Sequence, residues 1–508
     1  MSMEIRNRAR KAPKQQPTLQ KESSSSLAVG LFIIRIANSL TITTYFQPDE
    51  YFQALEVAHH YVFGYGFVTW EWKEHLRSAI HPLIYALGYK TMLAILEDWI
   101  QVSPKIVGAL MACIGDVAAY LFFRNYTRSE QLARIGLVLW VLNPFNWYVL
   151  TRAFSNSFET VLTIVAWVYW PWDSSQLHYQ SYVCALGFAF VSCIVRPTNA
   201  IIWACLGVNL LLKAKKPARI IVVSAIELVV LLGANCLVDY AFYGSVTFPL
   251  YNFLEFNVVR NLSVFYGVAP WHFYLFQGIP LMMMLYLPFL LVSLYKNYRD
   301  PLVHSGVIVL IGFSLIDHKE FRFIYPLQPL MILQCAYAVK EALAKWPRNK
   351  SYFIFGSIAL LHLMVAFFFT RVNERGVIDL IGYMKSSPEI DTVGFLTPCH
   401  STPWQSYLHD TKFESSWFLT CEPPLTVPIE GYRDESDQFY DDPIGFMEKI
   451  PDSKWPSHLV IFEALKEDVD EYLANKGYSE KKRFFNSFFH WDDRRKGDVI
   501  VYQRSKGN

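Results

Sequence analysis

The sequence predicts a polytopic α-helical membrane protein with a soluble α/β domain at its C-terminal end. Three observations lead there. Of the 508 residues, 53% are hydrophobic and only 18% charged, against roughly a quarter charged in soluble domains. The apolar residues gather in runs long enough to cross a bilayer. Beyond residue 370 the composition turns soluble, with charges, prolines and β-rich pieces at 392–396, 459–462 and 498–502.

Composition also excludes classes. Lys plus Arg number 46 and Asp plus Glu 44, a net charge of +2, which argues against nucleic acid recognised by bulk charge. Six of the eight cysteines (Cys113, Cys184, Cys193, Cys205, Cys236, Cys335) lie in apolar stretches and none forms a CxxC pair, so neither a disulfide scaffold nor a zinc site is indicated. His59, His60 and His75 lack metal-ligand spacing with a nearby carboxylate. P-loop, GxGxxG and GxSxG motifs are missing, which removes support for nucleotide-driven transport, hydride transfer and common hydrolase chemistry.

Taken in order, residues 1–26 are polar, hold Arg6, Arg8, Arg10, Lys11, Lys14 and Lys21, and end in four serines; they read as a disordered cytoplasmic tail. The first span follows at 27–45, without a small-residue cleavage site. Ten further spans are expected at 103–123, 132–150, 158–171, 181–195, 200–212, 219–243, 271–295, 301–316, 324–343 and 351–370. The run 80–97 is apolar but contains His81, Pro82, Lys90, Glu97 and Asp98. Placing it along the membrane surface puts the basic connections at Arg124 and Arg128, Lys213 to Arg219, Lys296 and Arg299, and Lys340 to Lys350 on the cytoplasmic side, as the positive-inside bias requires. Residues 27–370 then form a multispan domain with a non-cytoplasmic loop at 46–102. Residues 371–508 form a separate non-cytoplasmic domain, where Cys399 and Cys421 can pair or remain free thiols.

Three polar clusters interrupt the apolar pattern, and this topology brings all three to one compartment. The first is FQPDEYFQ at 46–53, where Pro48 and flanking aromatics hold Asp49 and Glu50 near the interface. Partial desolvation there raises carboxylate basicity, as a general base needs; alternatively, both acids favour the dipole of a following helix. The second cluster is DHKEFRF at 317–323, where Lys319 and Arg322 suit a phosphate or form a solvated loop with snorkelling ends. The third comprises Arg152 to Glu159 and Arg196 with Pro197, arginines at ends where the charge bias disfavours them. They serve as charge partners in function, or Arg152 pairs with Glu159 and Arg196 snorkels.

FQPDEYFQ, together with RSAIHP at 77–82 and HKEFRFIYP at 318–326, resembles glycosyltransferase family 22. These are the dolichol-phosphate-mannose-dependent mannosyltransferases of the endoplasmic reticulum, with a GT-C fold. The resemblance covers nearly the whole chain. Gln47 departs from the His that many members carry before Pro-Asp-Glu, which argues against proton transfer at that position. TPCHSTPWQS at 397–406, the stretch 417–424 and the stretch 484–498 are similar to the branch that adds an α1,2-linked mannose to a two-mannose glycosylphosphatidylinositol (GPI) precursor.

The resemblance therefore implies dolichol phosphate mannose as donor lipid, a GPI precursor glycolipid as acceptor, and an active site and C-terminus in the lumen. Its residues would be Asp49 as base, with Glu50 orienting the acceptor or acting as base itself. His318, Lys319, Arg322 and Arg196 would hold the donor phosphate, and Glu71, Arg77 and His81 the acceptor. Inversion at a β-linked donor gives the α product in one displacement. Because phosphate leaves as a stable anion, no cofactor or metal is required. The competing readings are a mannosyltransferase of dolichol-linked N-glycan precursors, a multispan lipid or sugar transporter, and a non-catalytic assembly subunit.

Overall fold

The computed structural model describes residues 19–173 and 177–505; residues 1–18 of the expected tail lie outside them. The first helix, Leu19–Thr41, begins eight residues before the expected span, so 19–26 continue the helix instead of belonging to a tail. Inside the bundle, buried Arg35 binds both oxygens of Asp116 at 2.7 and 2.8 Å, and Trp140 donates to the same carboxylate at 2.8 Å. A charge pair away from water persists only with such partners, and this one fixes the first helix to Ser103–Thr127.

Helices occupy all eleven expected spans, several of them interrupted. Among the described residues four runs are long and apolar enough to cross a membrane: Trp99–Thr127, Pro217–Tyr243, Tyr274–Lys296 and Arg348–Ser386. Segment 132–150 breaks, because the Asn143 side chain caps a new helix that starts at Pro144, a residue with no N–H to continue the old one. Segment 271–295 divides into a π-helical turn Tyr274–Gly278, the helix Ile279–Met283, a 3-10 turn and the helix Leu287–Lys296. The span expected at 324–343 opens as the 3-10 turn Phe321–Leu327 around Pro326 before Gln328–Lys345.

Several of these ends meet. Lys105 Nζ, at the start of Ser103–Thr127, donates to the Ile42 carbonyl at 3.1 Å, so the chain returns to where the first helix ended. The intervening helix Ile80–Ile95 thus belongs to an excursion that begins and ends on one side. Arg371 closes the last long helix there, donating to the Thr41 carbonyl at 2.9 Å.

Beyond it a five-stranded sheet forms, in the order β2 (Trp417–Phe418), β1 (Val393–Phe395), β3 (His458–Phe462), β5 (Gly497–Arg504), β4 (Tyr478–Ser487). β1 is parallel to β2 and β3, whereas β5 is antiparallel to β3 and β4. Alternate side chains serve two cores. Leu459 and Ile461 pack with Val469 and Leu473 of the helix Lys466–Asn475. Val460 and Phe462 pack with Tyr45, Tyr51, Phe52 and Tyr89, so the sheet rests directly on the excursion. Cys399 and Cys421, following β1 and β2, are joined as a disulfide.

Candidate active site

After Thr41 the chain leaves the bundle and turns at Pro48, whose carbonyl accepts from the Tyr51 and Phe52 N–H groups at 3.0 and 2.9 Å. A π-helical turn, Tyr51–Leu55, leads into Glu56–Phe63. The two adjacent acids then take different partners. Glu50 accepts from Arg152 Nη1 at 2.8 Å, and Arg152 also donates to the Tyr148 and Thr44 carbonyls at 2.9 and 3.0 Å. Glu50 lines a cavity of about 60 Å³ with Lys105, Thr151 and Arg152, and Asp49 is not among its walls. The structure thus places Glu50 in an ion pair with Arg152, away from Arg322. Arg152 pairs with Glu50, not with Glu159.

Asp49 is more open, its side chain 22% exposed, and its Oδ2 lies 2.7 Å from Arg322 Nη2. Arg322 also grips Glu320 with two hydrogen bonds of 2.6 and 2.7 Å. Burial pushes the Asp49 carboxyl above its ordinary value, opposed in part by Arg322. Glu71 and Arg77, joined by bonds of 2.8 and 3.1 Å, lie within Coulombic reach of Asp49, as does Arg196. Arg196 donates to Ser155 Oγ at 3.0 Å and stands 3.3 Å from Glu159. His81 sits beside Arg77 and Arg196; burial first, then those charges, push it down to about 3, so the imidazole is neutral.

The unpaired atoms at this centre point to a ligand. Arg322 Nη1 and His81 Nε2 are buried without a hydrogen-bond partner, a costly arrangement for buried polar groups, and Arg196 Nε has only its ion pair with Glu159 at 3.3 Å. A guanidinium N–H left open beside one carboxylate, with a second guanidinium close by, suits an anion next to a base. His318 and Lys319 sit differently from this pair. His318 Nδ1 contacts the Gly267 carbonyl at 2.8 Å and Lys319 Nζ donates to the Ala269 carbonyl at 2.7 Å, which secures the loop 267–269, while His318 Nε2 lies 3.4 Å from the Glu320 carboxylate that Arg322 holds. The structure brings Asp49, Arg322, Arg196, Glu71, Arg77 and His81 together, joins His318 to them through Glu320, and places Glu50 against Arg152 and Lys319 against the Ala269 carbonyl.

Residues 26–409 match the Alg9-like mannosyltransferase family. The chain belongs to that family. It is 53% identical over 93% of its length to GPI mannosyltransferase 3 of Debaryomyces hansenii, covering 91% of that protein. Human GPI alpha-1,2-mannosyltransferase 3 is 34% identical over 93% of this chain and 85% of its own. The fold is similar to that of ArnT from Cupriavidus metallidurans bound to undecaprenyl phosphate, with a TM-score of 0.56 at 12% identity over 97% of this chain and 99% of that one. The Archaeoglobus fulgidus oligosaccharyltransferase gives 0.52 at 14% identity, covering 95% and 76%. The Alg9-like enzyme therefore has the GT-C fold and is an α-mannosyltransferase.

In this mannosyltransferase the C-terminal domain roofs the site. Tyr45 donates to the His400 carbonyl at 2.5 Å, and the Phe52 ring lies 4.2 Å from that of His400. Glu56 accepts from the Trp404 N–H, the Ser406 N–H and Ser406 Oγ, at 2.9, 3.1 and 2.6 Å; burial still pushes it up to about 7. Nothing local in the sequence singles out Glu56, since its partners lie about 350 residues away. Cys399, His400 and Cys421 lie close enough together to suggest a metal cluster, but the two sulfurs are bonded to each other.

Proposed function

We propose that this mannosyltransferase takes mannose from dolichol phosphate mannose and transfers it to a GPI precursor carrying two mannoses, forming the third, α1,2-linked mannose in the lumen of the endoplasmic reticulum. The observation that carries the donor side is the buried, unpartnered Nη1–H of Arg322 beside Asp49, with the Arg196 guanidinium within Coulombic reach. The names of the relatives support the acceptor. In this reading residues 27–370 form the catalytic membrane domain and 371–508 lie in the lumen.

The donor phosphate enters between Arg322 and Arg196 and draws Arg322 away from Asp49. Asp49, raised in basicity by burial, accepts the proton of the acceptor hydroxyl. That oxygen forms the new bond to mannose C1 as the C1–O bond to phosphate breaks, inverting the carbon and releasing dolichol phosphate. The two guanidiniums neutralise the departing anion. Arg77 with Glu71, and neutral His81, position the acceptor on the open side of Asp49.

The test is to deplete the protein in cells, label with a mannose precursor, and weigh the glycolipid that accumulates. A GPI precursor with two mannoses is expected. A truncated dolichol-linked oligosaccharide would move the enzyme to N-glycan assembly, and no accumulating glycolipid of either kind would overturn the transferase reading. A glycosylation tag fused after Asn508 should be modified; an unmodified tag would refute the luminal placement.

A further inference from the structure

The end of β4 and the turn that follows it expose an aromatic cluster on the soluble domain. Phe485 is 42% exposed, Phe488 71%, Phe489 50% and Trp491 85%. So many large rings facing outward together mark an interaction surface. The base of the turn is fixed. The Asn486 carbonyl accepts from the Glu374 N–H at 2.8 Å, its Nδ2 donates to the Glu374 carboxylate at 3.1 Å, and its Oδ1 accepts from the Val377 N–H at 3.2 Å. These bonds lock the turn to the segment that follows the helix Arg348–Arg371.

The same surface continues onto that helix. The rings of Phe488 and Phe489 stack on Phe368 at 6.1 and 6.3 Å, with interplanar angles of 20° and 17°. Phe368 lies one turn before Arg371, whose hydrogen bond to Thr41 marks where the first and last helices leave the bundle. Outward-facing Leu360, Leu363, Met364 and Phe367 precede it, each more than half exposed. The apolar surface of a membrane helix therefore runs without a break onto the turn. Polar residues resume at once: Arg494 binds Asp492 at 2.9 Å, and Arg495 donates to the Cys399 carbonyl at 3.0 Å.

We propose that the turn 485–491 is a membrane anchor, with Phe488, Phe489 and Trp491 seated in the interfacial layer of the bilayer beside the exit of Arg348–Arg371. Aromatic rings, and tryptophan above all, favour that depth because an apolar face meets lipid while the indole N–H meets headgroups and water. Through Asn486 on one side and Arg495 on the other, the anchor holds the roof of the active site at a fixed height above the membrane.

The test replaces Trp491 with the photoreactive residue benzoylphenylalanine in the full-length protein and irradiates native membranes. The peptide containing position 491 is expected to gain the mass of one phospholipid, while the same probe at exposed Glu467, on the far helix of the domain, gains none. An adduct with a polypeptide, including a second copy of this chain, would overturn the anchor and make the turn a protein interface. Lipid adducts equal at both positions, or none at 491, would also overturn it. As an independent readout, brominated phosphatidylcholine should quench the part of the emission lost on Trp491→Phe; an unquenched difference spectrum contradicts the proposal.

Discussion

Asp49→Asn should separate catalysis from donor binding, because Asp49 and the donor phosphate share Arg322. The amide keeps the shape of the carboxylate at a position whose side chain is 22% exposed, so the protein should insert and accumulate normally. A positioned general base contributes about 10²–10⁴ in rate, equivalent to roughly 3–5.5 kcal/mol at 1.36 kcal/mol per tenfold, and that is the expected loss in kcat. Donor binding should move the other way. Arg322 Nη2 loses the charged acceptor at 2.7 Å and keeps only Glu320. A hydrogen bond to a charged group contributes about 1.5–3 kcal/mol; with part of that redirected to phosphate, the apparent donor KM should fall by up to about tenfold. The assay uses purified enzyme in nanodiscs with defined donor and acceptor, varying the donor at saturating acceptor. Near-normal turnover would remove Asp49 as the base. A raised donor KM would refute the competition for Arg322.

Glu50→Gln should behave differently, since it leaves Arg152 charged and buried without its partner; breaking such a pair costs about 3–5 kcal/mol, so the thermal midpoint should drop, and an unchanged midpoint would return Glu50 to the candidate bases. Opening the Cys399–Cys421 bridge, which spans 22 residues, should cost about 3 kcal/mol and, by loosening His400 over Phe52, lower kcat more than it raises donor KM; intact turnover of Cys399→Ser would show that the roof holds without it. Asp49 must be ionised to accept a proton, and burial raises it against the pull of Arg322, so kcat/KM should decline toward acid pH with an inflection above the ordinary aspartate value of 3.8. Arg322→Ala removes the opposing charge and should move that inflection further up; a downward shift would contradict the pairing.

Much of the architecture was legible because hydrophobic runs and loop charges report the membrane directly. Placing 80–97 on the membrane surface predicts a loop at 46–102 that leaves and returns on one side, and in the fold Lys105 meets the Ile42 carbonyl. Sequence could not separate Asp49 from Glu50: adjacent acids look alike until Arg152 and Arg322 arrive from turns distant in the chain. Lys319 reads as a phosphate ligand because basic residues at a membrane edge suit one; its bond to the Ala269 carbonyl is a contact that residues 50 positions apart do not announce. Interruptions such as Tyr274–Gly278 were hidden because hydropathy does not register how backbone hydrogen bonds are shared.

The roof over the site has a consequence for synthesis. The Tyr45 hydroxyl meets a carbonyl 355 residues further along the chain. At about 5–20 residues per second, that partner is made roughly 20–70 s later. During that interval the Pro48 turn and Glu56 stand without the groups that cover them, and for its earlier part Asp49 stands without Arg322. A chain halted before the sheet closes would present buried-type carboxylates to the surroundings, a recognisable mark of an unfinished protein, so activity should begin only once the last strands have returned to cover the first loop.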